Sequence, residues 1–184
     1  IYPTIQKSIM ILFGVRDSLI FKCDQQMRSI QAVMPTHAQE HSLINDLVIP
    51  FDSVNVLNEA IKSCEIQDTY QQPALTVIDQ QITGSMKAGG FICLPTMHNR
   101  QVIALLVLGV NKIKCDSLNK NRKLLKLFAQ DVAGQILQYE AQARLRADIA
   151  SDNQQLYRNK AREVIHETNN PLAVIRNYLQ LLSQ

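Results

Sequence analysis

Short apolar segments separated by turn residues fill residues 17–110, a pattern that predicts a mixed domain of strands and short helices. The predicted strands, the fourth of them a strand or simply extended chain, cover residues 18–24, 29–35, 47–52, 65–70, 89–96 and 101–111. The tetrapeptide MHNR at 97–100 separates the last two predicted strands and is expected to form the hairpin turn between them. Because the segment at 101–111 is almost continuously apolar, we expect it in the centre of the sheet, buried on both faces.

Apolar residues at helical spacing predict two short helices in the same domain. The first, at 53–64, is expected to begin with Ser53 as its N-cap, since a serine side chain accepts a hydrogen bond from the free N–H groups of a first helical turn. The second covers residues 75–88. From about Leu118 onward, the spacing predicts one long helix that continues to the end of the sequence.

A line of small or apolar residues runs along this long helix in steps of three or four, the spacing of a coiled-coil seam. The line comprises Val132, Ile136, Tyr139, Ala143, Ala147, Ala150, Gln154, Tyr157, Ala161, Ile165, Thr168, Leu172, Ile175, Leu179 and Leu182. Two steps of four adjoin at two places along it, and such stutters locally unwind a supercoil.

Leu145, Ile149 and Leu156 lie off this seam and define a second register for the helix. One interpretation is that these residues cover the preceding domain or flank the seam. The other is that the helix holds two registers of nearly equal free energy, so that a small change in the preceding domain favours one of them. The sequence leaves both interpretations open.

The tripeptide at 169–171, NNP in one-letter code, stands in the middle of the long helix although asparagine and proline are poor helix formers. Pro171 cannot donate a hydrogen bond to the carbonyl of Glu167, and its ring crowds that carbonyl. The seam nevertheless keeps its phase from Ile165 to Leu172. We therefore expect a helix that is kinked at this point but continuous.

The register of the seam also assigns positions to the polar residues around the kink. With Ile165 at a core position, His166, Glu167 and Asn170 fall on positions that face water in a helical bundle. His166 and Asn170 are one helical turn apart and share a face. A neutral histidine is a nucleophile, and a neighbouring carboxylate orients the imidazole and raises its basicity.

Composition and charge exclude several classes of function. The net charge of +3 is too small to indicate a nucleic-acid or membrane partner. The apolar run at 102–110 is roughly half of what a membrane span needs, so we expect no membrane span and a cytoplasmic location. The four cysteines are widely spaced without a CxxC pair, which is typical of reduced thiols in a cytoplasmic protein.

The order of elements in residues 1–138 resembles the GAF fold: a helix, two strands, a strand–helix–strand unit, a helix, and an apolar hairpin that leads to a long exit helix. The segments that carry the resemblance are VIPFDSVNVLNEAIKSCEIQDTY (48–70) and GGFICLPTMHNRQVIALLVLGVN (89–111). The resemblance implies an α+β fold, with an antiparallel sheet flanked by helices, and a sensory or dimerising role. It also implies a pocket beside the sheet.

The residues of the GAF-like region do not select a ligand among those known for GAF domains, so its ligand is left unknown. His37 and His41 are four residues apart and are weak candidates for ligating a metal or a haem. They stand in a loop-like segment, where solvated histidines are the ordinary expectation, and no metal is assigned. A purely structural GAF domain without a ligand is a further alternative.

The segment HETNNPL at 166–172 resembles the phosphoacceptor box of sensor histidine kinases, whose pattern is His, an acidic residue, two variable residues, Asn or Thr, Pro and Leu. The resemblance divides the chain into a GAF-like sensory domain at 1–138, a signalling coiled coil at 139–160, and the first part of the dimerisation and phosphoacceptor (HisKA) helix at 161–184. Thr168 departs from the family, which more often has an aliphatic residue there.

The same resemblance implies a role for each residue of the box. His166 would be phosphorylated from ATP and would pass the phosphoryl group to an aspartate of a response regulator. Glu167 would be the acid/base partner that polarises His166. Asn170 would stand at the position that orients water when such kinases act as phosphatases, and Pro171 would be the structural kink.

These expectations describe the sensor and dimerisation portion of a two-component histidine kinase that forms a parallel homodimer. Its partners would be a response-regulator receiver domain and the kinase's own ATP-binding domain. ATP and Mg²⁺ would be bound by that domain, which we expect outside residues 1–184, so this chain alone would be inactive. The alternative is a non-catalytic GAF dimerisation module that regulates a partner through its coiled coil. A small-molecule enzyme is disfavoured, because no convergent set of catalytic residues is present.

Overall fold

The computed structural model describes the backbone of residues 1–33 and 47–182 and the side chains of residues 1–33 and 47–161. Its elements are α1 (Tyr2–Phe13), β1 (Ser18–Asp24), β2 (Ser29–Val33), β3 (Val48–Pro50), α2 (Val56–Ser63), β4 (Gln67–Asp68), α3 (Val77–Ser85), β5 (Gly90–His98), β6 (Gln101–Val110), α4 (Lys112–Lys120) and α5 (Arg122–Leu182). The chain divides into two compact units, Ile1–Leu137 and Gln138–Gln184.

Within the described residues of the first unit, the strands form one antiparallel sheet in the order β3-β2-β1-β6-β5-β4. The apolar strand β6 lies between β1 and β5, and Leu105, Leu106 and Val107 within it are completely buried. The central position predicted for the segment at 101–111 is therefore confirmed.

Helices cover both faces of the sheet and bury two apolar clusters. One cluster lies under α1, α4 and the beginning of α5, and the other lies under α2 and α3. Because successive strand residues point to opposite faces, Leu106 joins the first cluster while Leu105 and Val107 join the second. The continuous apolar sequence of β6 thus supplies both cores at once, and the expected α+β architecture is confirmed.

The start of α2 corrects the prediction that Ser53 is the N-cap. The cap is Asn55, whose backbone is extended and whose side chain accepts a hydrogen bond from the Asn58 N–H at 2.9 Å. The hydroxyl of Ser53 instead donates to the carbonyl of Pro50 at 2.8 Å. Ser53 therefore stabilises the turn that precedes the helix.

The hairpin between β5 and β6 is tighter than predicted. Met97 pairs with Val102 and His98 pairs with Gln101, so these residues of the expected turn belong to the strands. Only Asn99 and Arg100 form the turn, with positive φ values of 48° and 64°. A two-residue hairpin turn of this kind requires positive φ at both positions, because only then does the turn match the twist of the strands.

The predicted strand at 65–70 is reduced to Gln67–Asp68. Thr69 still donates its N–H to the carbonyl of Phe91 at 3.0 Å. The chain then turns away, because one carboxylate oxygen of Asp68 accepts hydrogen bonds from the N–H groups of Tyr70 and Gln71, each at 3.0 Å. Aspartate side chains commonly stabilise turns in this way. As a result, β4 pairs with only two residues of β5.

The long helix begins later than the predicted Leu118, because α4 ends first. The N–H of Asn121 bonds to the carbonyl of Leu118 at 2.9 Å, and the carbonyl of Asn121 accepts the N–H of Leu125 at 3.2 Å. Asn121 thus closes α4 and starts α5. From Arg122, α5 continues for 61 residues to Leu182.

The helical backbone of α5 runs on both sides of Pro171, as the phase of the seam predicts. The kink expected at Pro171 stays a prediction. Within the described residues, no helix combines the length and the apolar character that a membrane crossing requires.

Candidate functional site

The predicted phosphoacceptor His166 and its predicted partners Glu167 and Asn170 all lie in the helical backbone of α5, before its end at Leu182. Their side chains lie outside the described residues, so their roles stay predictions. The backbone alone establishes the spacing: an α-helix rises 1.5 Å per residue, which separates His166 and Asn170 by about 6 Å along the axis.

The helix that precedes the box presents its side chains to solvent in the described chain. Tyr157, a member of the predicted seam, is 73% exposed. Leu145, Ile149 and Leu156, which define the second register, are 61%, 53% and 52% exposed. Both lines of residues are therefore accessible on this helix, and exposure does not distinguish the two registers.

The first two members of the predicted seam have a different role. Val132 and Ile136 are 1% and 3% exposed and belong to the apolar cluster under α1 and α4. These two residues hold α5 on the sheet of its own chain, so a seam between chains begins no earlier than Tyr139. The sequence could not show this, because core-facing and partner-facing stripes of a helix have almost the same spacing.

Side-chain contacts hold the beginning of α5 on the first unit. The rings of Phe13 and Phe128 pack edge to face at a centroid distance of 5.2 Å. The guanidinium of Arg122 donates to the carbonyl of Ile66 at 2.7 Å. Together with the buried side chains of Val132 and Ile136, these contacts make the start of α5 an integral part of the first unit.

Large apolar side chains fill the face of the sheet that α2 and α3 cover. Phe21, Phe91, Leu57 and Ile82 are completely buried there. The buried carboxylate of Asp79 joins the two helices, since it accepts hydrogen bonds from the Val56 N–H at the start of α2 and from Thr76 at the start of α3. This side of the sheet is thus a packed and internally bonded core.

A groove of about 430 Å³ lies on the other side, between the end of α2, the β5–β6 hairpin and α5. Buried Ile66, Leu94 and Ala129 contribute apolar surface, and Arg100 and Lys126 contribute two cations. This groove was not predicted from the sequence. The one available signal was an arginine beside an asparagine at a tight hairpin turn, where glycine is the favoured second residue.

The weak metal candidates His37 and His41 lie outside the described residues. Among the residues that the structure does describe, no group of three or more histidine, cysteine or acidic side chains is placed to hold a metal ion. The four cysteines are free thiols, and three of them are buried: Cys23, Cys93 and Cys115. Burial raises the pKa of Cys23 to about 12 and that of Cys115 to about 11.

Solved structures with the same architecture identify the fold. The chain is similar to residues 122 to 287 of a methyl-accepting chemotaxis protein, with 15% identity, a TM-score of 0.55, and coverage of 77% of this chain and 88% of that one. It is similar to a GAF domain/HD domain protein from Geobacter sulfurreducens, with 10% identity, a TM-score of 0.55, and coverage of 76% and 91%. It is also similar to the second GAF domain of DevS from Mycobacterium smegmatis, with 14% identity, a TM-score of 0.51, and coverage of 77% and 94%.

No protein-family model matches the chain, and no curated protein matches it either. At identities this low, the likeness to solved structures establishes the fold alone. The chain has a GAF-like fold, with an antiparallel sheet, flanking helices and a long C-terminal helix.

Proposed function

We propose that residues 1–184 form the sensor and dimerisation portion of a two-component sensor histidine kinase. One observation carries the proposal: the segment HETNNPL at 166–172 lies in a helix that continues without interruption from a GAF-like unit. A signal received by that unit would reach the segment through a single stretch of helical backbone. The chemotaxis and GAF proteins that share the fold support a signalling role for the first unit.

In this proposal, His166 is the nucleophile. A lone pair of its neutral imidazole attacks the terminal phosphorus of ATP, a new N–P bond forms, and the P–O bond to the leaving ADP breaks. Glu167 accepts a hydrogen bond from the other ring nitrogen and stabilises the positive charge that develops on the ring. An aspartate carboxylate of a response regulator then takes the phosphoryl group, and the imidazole returns to its starting state.

Asn170 serves the phosphatase reaction, and Pro171 affects the geometry of the helix. Asn170, one turn after His166, orients a water molecule toward the phosphoryl group of the response regulator when the protein acts as a phosphatase. Pro171 leaves the carbonyl of Glu167 without its helical hydrogen bond, which softens the helix at the turn where transfer takes place. ATP and Mg²⁺ are bound by a separate ATP-binding domain of the kinase.

The proposed active form is a parallel homodimer, because the seam from Tyr139 onward has the spacing of a coiled coil. Among the described seam residues, Ala143, Ala147 and Ala150 are small and exposed, which permits close approach of two helices. The dimer would place two copies of the box side by side for phosphorylation and for contact with the response regulator.

Phosphorylation of His166 is the decisive test. Incubation of this chain with ATP, Mg²⁺ and the separately prepared ATP-binding portion of the full-length protein should give an acid-labile phosphohistidine, and incubation without that portion should give none. His166→Gln should abolish labelling, whereas His98→Gln, at the exposed end of β5, should retain it. Glu167→Gln should slow labelling, and Asn170→Ala should reduce only the phosphatase reaction.

The same labelling experiment distinguishes the kinase from the alternative function. A non-catalytic GAF dimerisation module would form the same dimer without labelling at His166. Absence of labelling in the presence of a competent ATP-binding portion, with the dimer intact, would therefore overturn the kinase proposal and leave a module that regulates its partner through the coiled coil.

A further inference from the structure

The groove at the hairpin exists because β4 is too short to cover the edge of its neighbour. β4 pairs only with Ile92 and Cys93 of β5. Among the described residues, no strand lies beside the following part of β5, from Leu94 to His98, on that side. The chain comes from the end of α2 on one side of this open edge, and α5 crosses on the other, which leaves a space of about 430 Å³.

The floor of this groove is apolar, whereas charged and amide side chains contribute about half of its lining. Ile66, Leu94 and Ala129 are 3%, 1% and 4% exposed, so they form a fixed surface. Pro95 also lines the groove and contributes no N–H group to the open strand edge. A groove of this volume, with an apolar floor and polar walls, is large enough to hold a small molecule.

The charges at the rim favour an anionic ligand. Glu65 is the acidic residue of the lining, and Lys126 already binds its carboxylate at 2.7 Å. The hydrogen bond from Lys126 lowers the pKa of Glu65, so this pair remains ionised and mutually satisfied. Arg100 also lines the groove, and within the described part of the chain its guanidinium makes no ion pair or hydrogen bond. The groove therefore offers one uncommitted cation.

The backbone conformation at Arg100 is energetically unfavourable for an arginine. Arg100 stands at the second residue of a two-residue hairpin turn with φ of 64°, where glycine is strongly favoured. Cys64 and Asn99, which line the same groove, also have positive φ values of 55° and 48°, but the end of α2 and the turn itself account for these two. Backbone strain in residues with side chains tends to be held at binding sites, where the side chain is needed. The turn fixes the Arg100 backbone at the mouth of the groove.

From this geometry we propose that the groove binds a small organic carboxylate, with the carboxylate group on Arg100 and an apolar body against Ile66, Leu94 and Ala129. A guanidinium suits a carboxylate because it donates two parallel hydrogen bonds. Since Lys126, Ala129 and Gln130 of α5 line the groove, the bound ligand touches the helix that leaves the sensor unit. This site is independent of His166 and goes beyond the proposed kinase function.

The test compares 4-phenylbutanoate with its neutral amide, 4-phenylbutanamide, by calorimetric titration of the 184-residue chain. The carboxylate should bind saturably at millimolar concentration or below, about tenfold or more tighter than the amide, because a charge-assisted hydrogen bond is lost in the amide. Cys64 lines the groove and is only partly buried. Its modification by a thiol reagent should therefore slow when the carboxylate is bound.

Arg100→Gly is the decisive variant, because it should fold at least as well as the original chain. Glycine relieves the strain at φ of 64° and should raise the thermal midpoint by about 2 to 4 °C, while carboxylate binding weakens about tenfold or more. Arg28→Gly is the matched control: Arg28 also has a positive φ, of 48°, but does not line the groove. It should leave binding and Cys64 protection unchanged.

Two results would overturn the proposal. One is the absence of selective carboxylate binding: either the amide binds as tightly as the carboxylate, or neither compound binds saturably at millimolar concentration. The other is carboxylate binding by Arg100→Gly that equals binding by Arg28→Gly, since both variants are folded and differ only in which arginine is removed.

Discussion

The rings of Phe13, the last residue of α1, and Phe128 of α5 pack edge to face, at a centroid distance of 5.2 Å and an interplanar angle of 80°. The pair connects the first helix of the chain to the helix that leaves the first unit. Edge-to-face pairs of this kind contribute about 0.5 to 1.5 kcal/mol beyond the burial of their area. The contact therefore ties the stability of the first unit to the position of α5.

We expect Phe13→Ala to destabilise the chain by about 3 to 5 kcal/mol, because it removes a buried ring and leaves a cavity against Phe128. Met10→Ala, on the same helix but 46% exposed, should change stability far less. Urea unfolding followed by circular dichroism measures both. Equal losses in the two variants would show that the Phe13–Phe128 contact does not anchor α1.

Much of the fold could be predicted because its signals are local. The continuous apolar run in β6 indicated a strand buried on both faces, and the spacing after Leu118 indicated a long helix. The seam also predicted that helical backbone would continue past Pro171, since a loop has no reason to preserve the phase of apolar residues. In each case the pattern within one segment was sufficient.

The errors arose where the outcome depends on contacts between distant segments. Ser53 and Asn55 are both good N-cap residues, and the buried carboxylate of Asp79 favours Asn55 by binding the Val56 N–H at 3.0 Å. The groove behind Arg100 was missed for the same reason: it combines the short β4, the hairpin and α5, which are remote in sequence. The segment HETNNPL at 166–172, in contrast, is a local pattern, and its interpretation as a phosphoacceptor box stays a prediction.

Asp79 should be among the polar residues of the first unit that are most sensitive to substitution. One carboxylate oxygen accepts the Val56 N–H, and the other accepts the Thr76 N–H at 3.1 Å and the Thr76 hydroxyl at 2.7 Å. Asp79→Asn replaces one acceptor oxygen by an amide donor and should cost about 2 to 3 kcal/mol of unfolding free energy. The same substitution at Asp52, which forms an exposed ion pair with Arg28, should cost less than about 1 kcal/mol.

Denaturant unfolding of the two variants at the same pH measures the difference. A cost at Asp79 as small as that at Asp52 would mean that the bonds joining the starts of α2 and α3 are not needed to hold the two helices together.

The buried thiols predict a loss of stability in alkaline solution. Burial raises the pKa of Cys23 to about 12 and that of Cys115 to about 11, above the ordinary value of 9.0. Above pH 9 the unfolded chain therefore loses these protons while the folded chain retains them. Stability is unaffected below pH 9 and falls as the pH rises toward 11, by up to about 1.4 kcal/mol per pH unit for each thiol.

Urea unfolding between pH 8 and about 10.5 measures this slope. Cys23→Ala and Cys115→Ala should each reduce it, whatever their effect on stability at pH 8. The control is Ile30→Val, which alters a completely buried residue paired with Cys23 across β1 and β2 but adds or removes no titrating group. It should lower stability and keep the original slope. An unchanged slope in both cysteine variants would contradict the prediction.

Cysteine crosslinking along α5 tests the proposed dimer and its register. In a chain carrying Cys64→Ser, which removes the partly buried native thiol, single cysteines at Ala143, Ala147 and Ala150 should form disulfides between two chains if the predicted seam is used. Cysteines at Leu145, Ile149 and Leu156 should crosslink only if the second register is populated. Both sets of side chains are exposed in the described chain, so access does not bias the result.

The ratio of the two crosslink sets then reports which register is favoured. If the first unit controls the helix by register, destabilising its anchor with Phe13→Leu, a milder change than alanine, should shift that ratio in folded chains. A shift would show that the anchor of α5 and the choice of seam are coupled. Identical crosslink patterns with and without the substitution would contradict the two-register hypothesis. Signal transmission along α5 would then require a motion that preserves one seam.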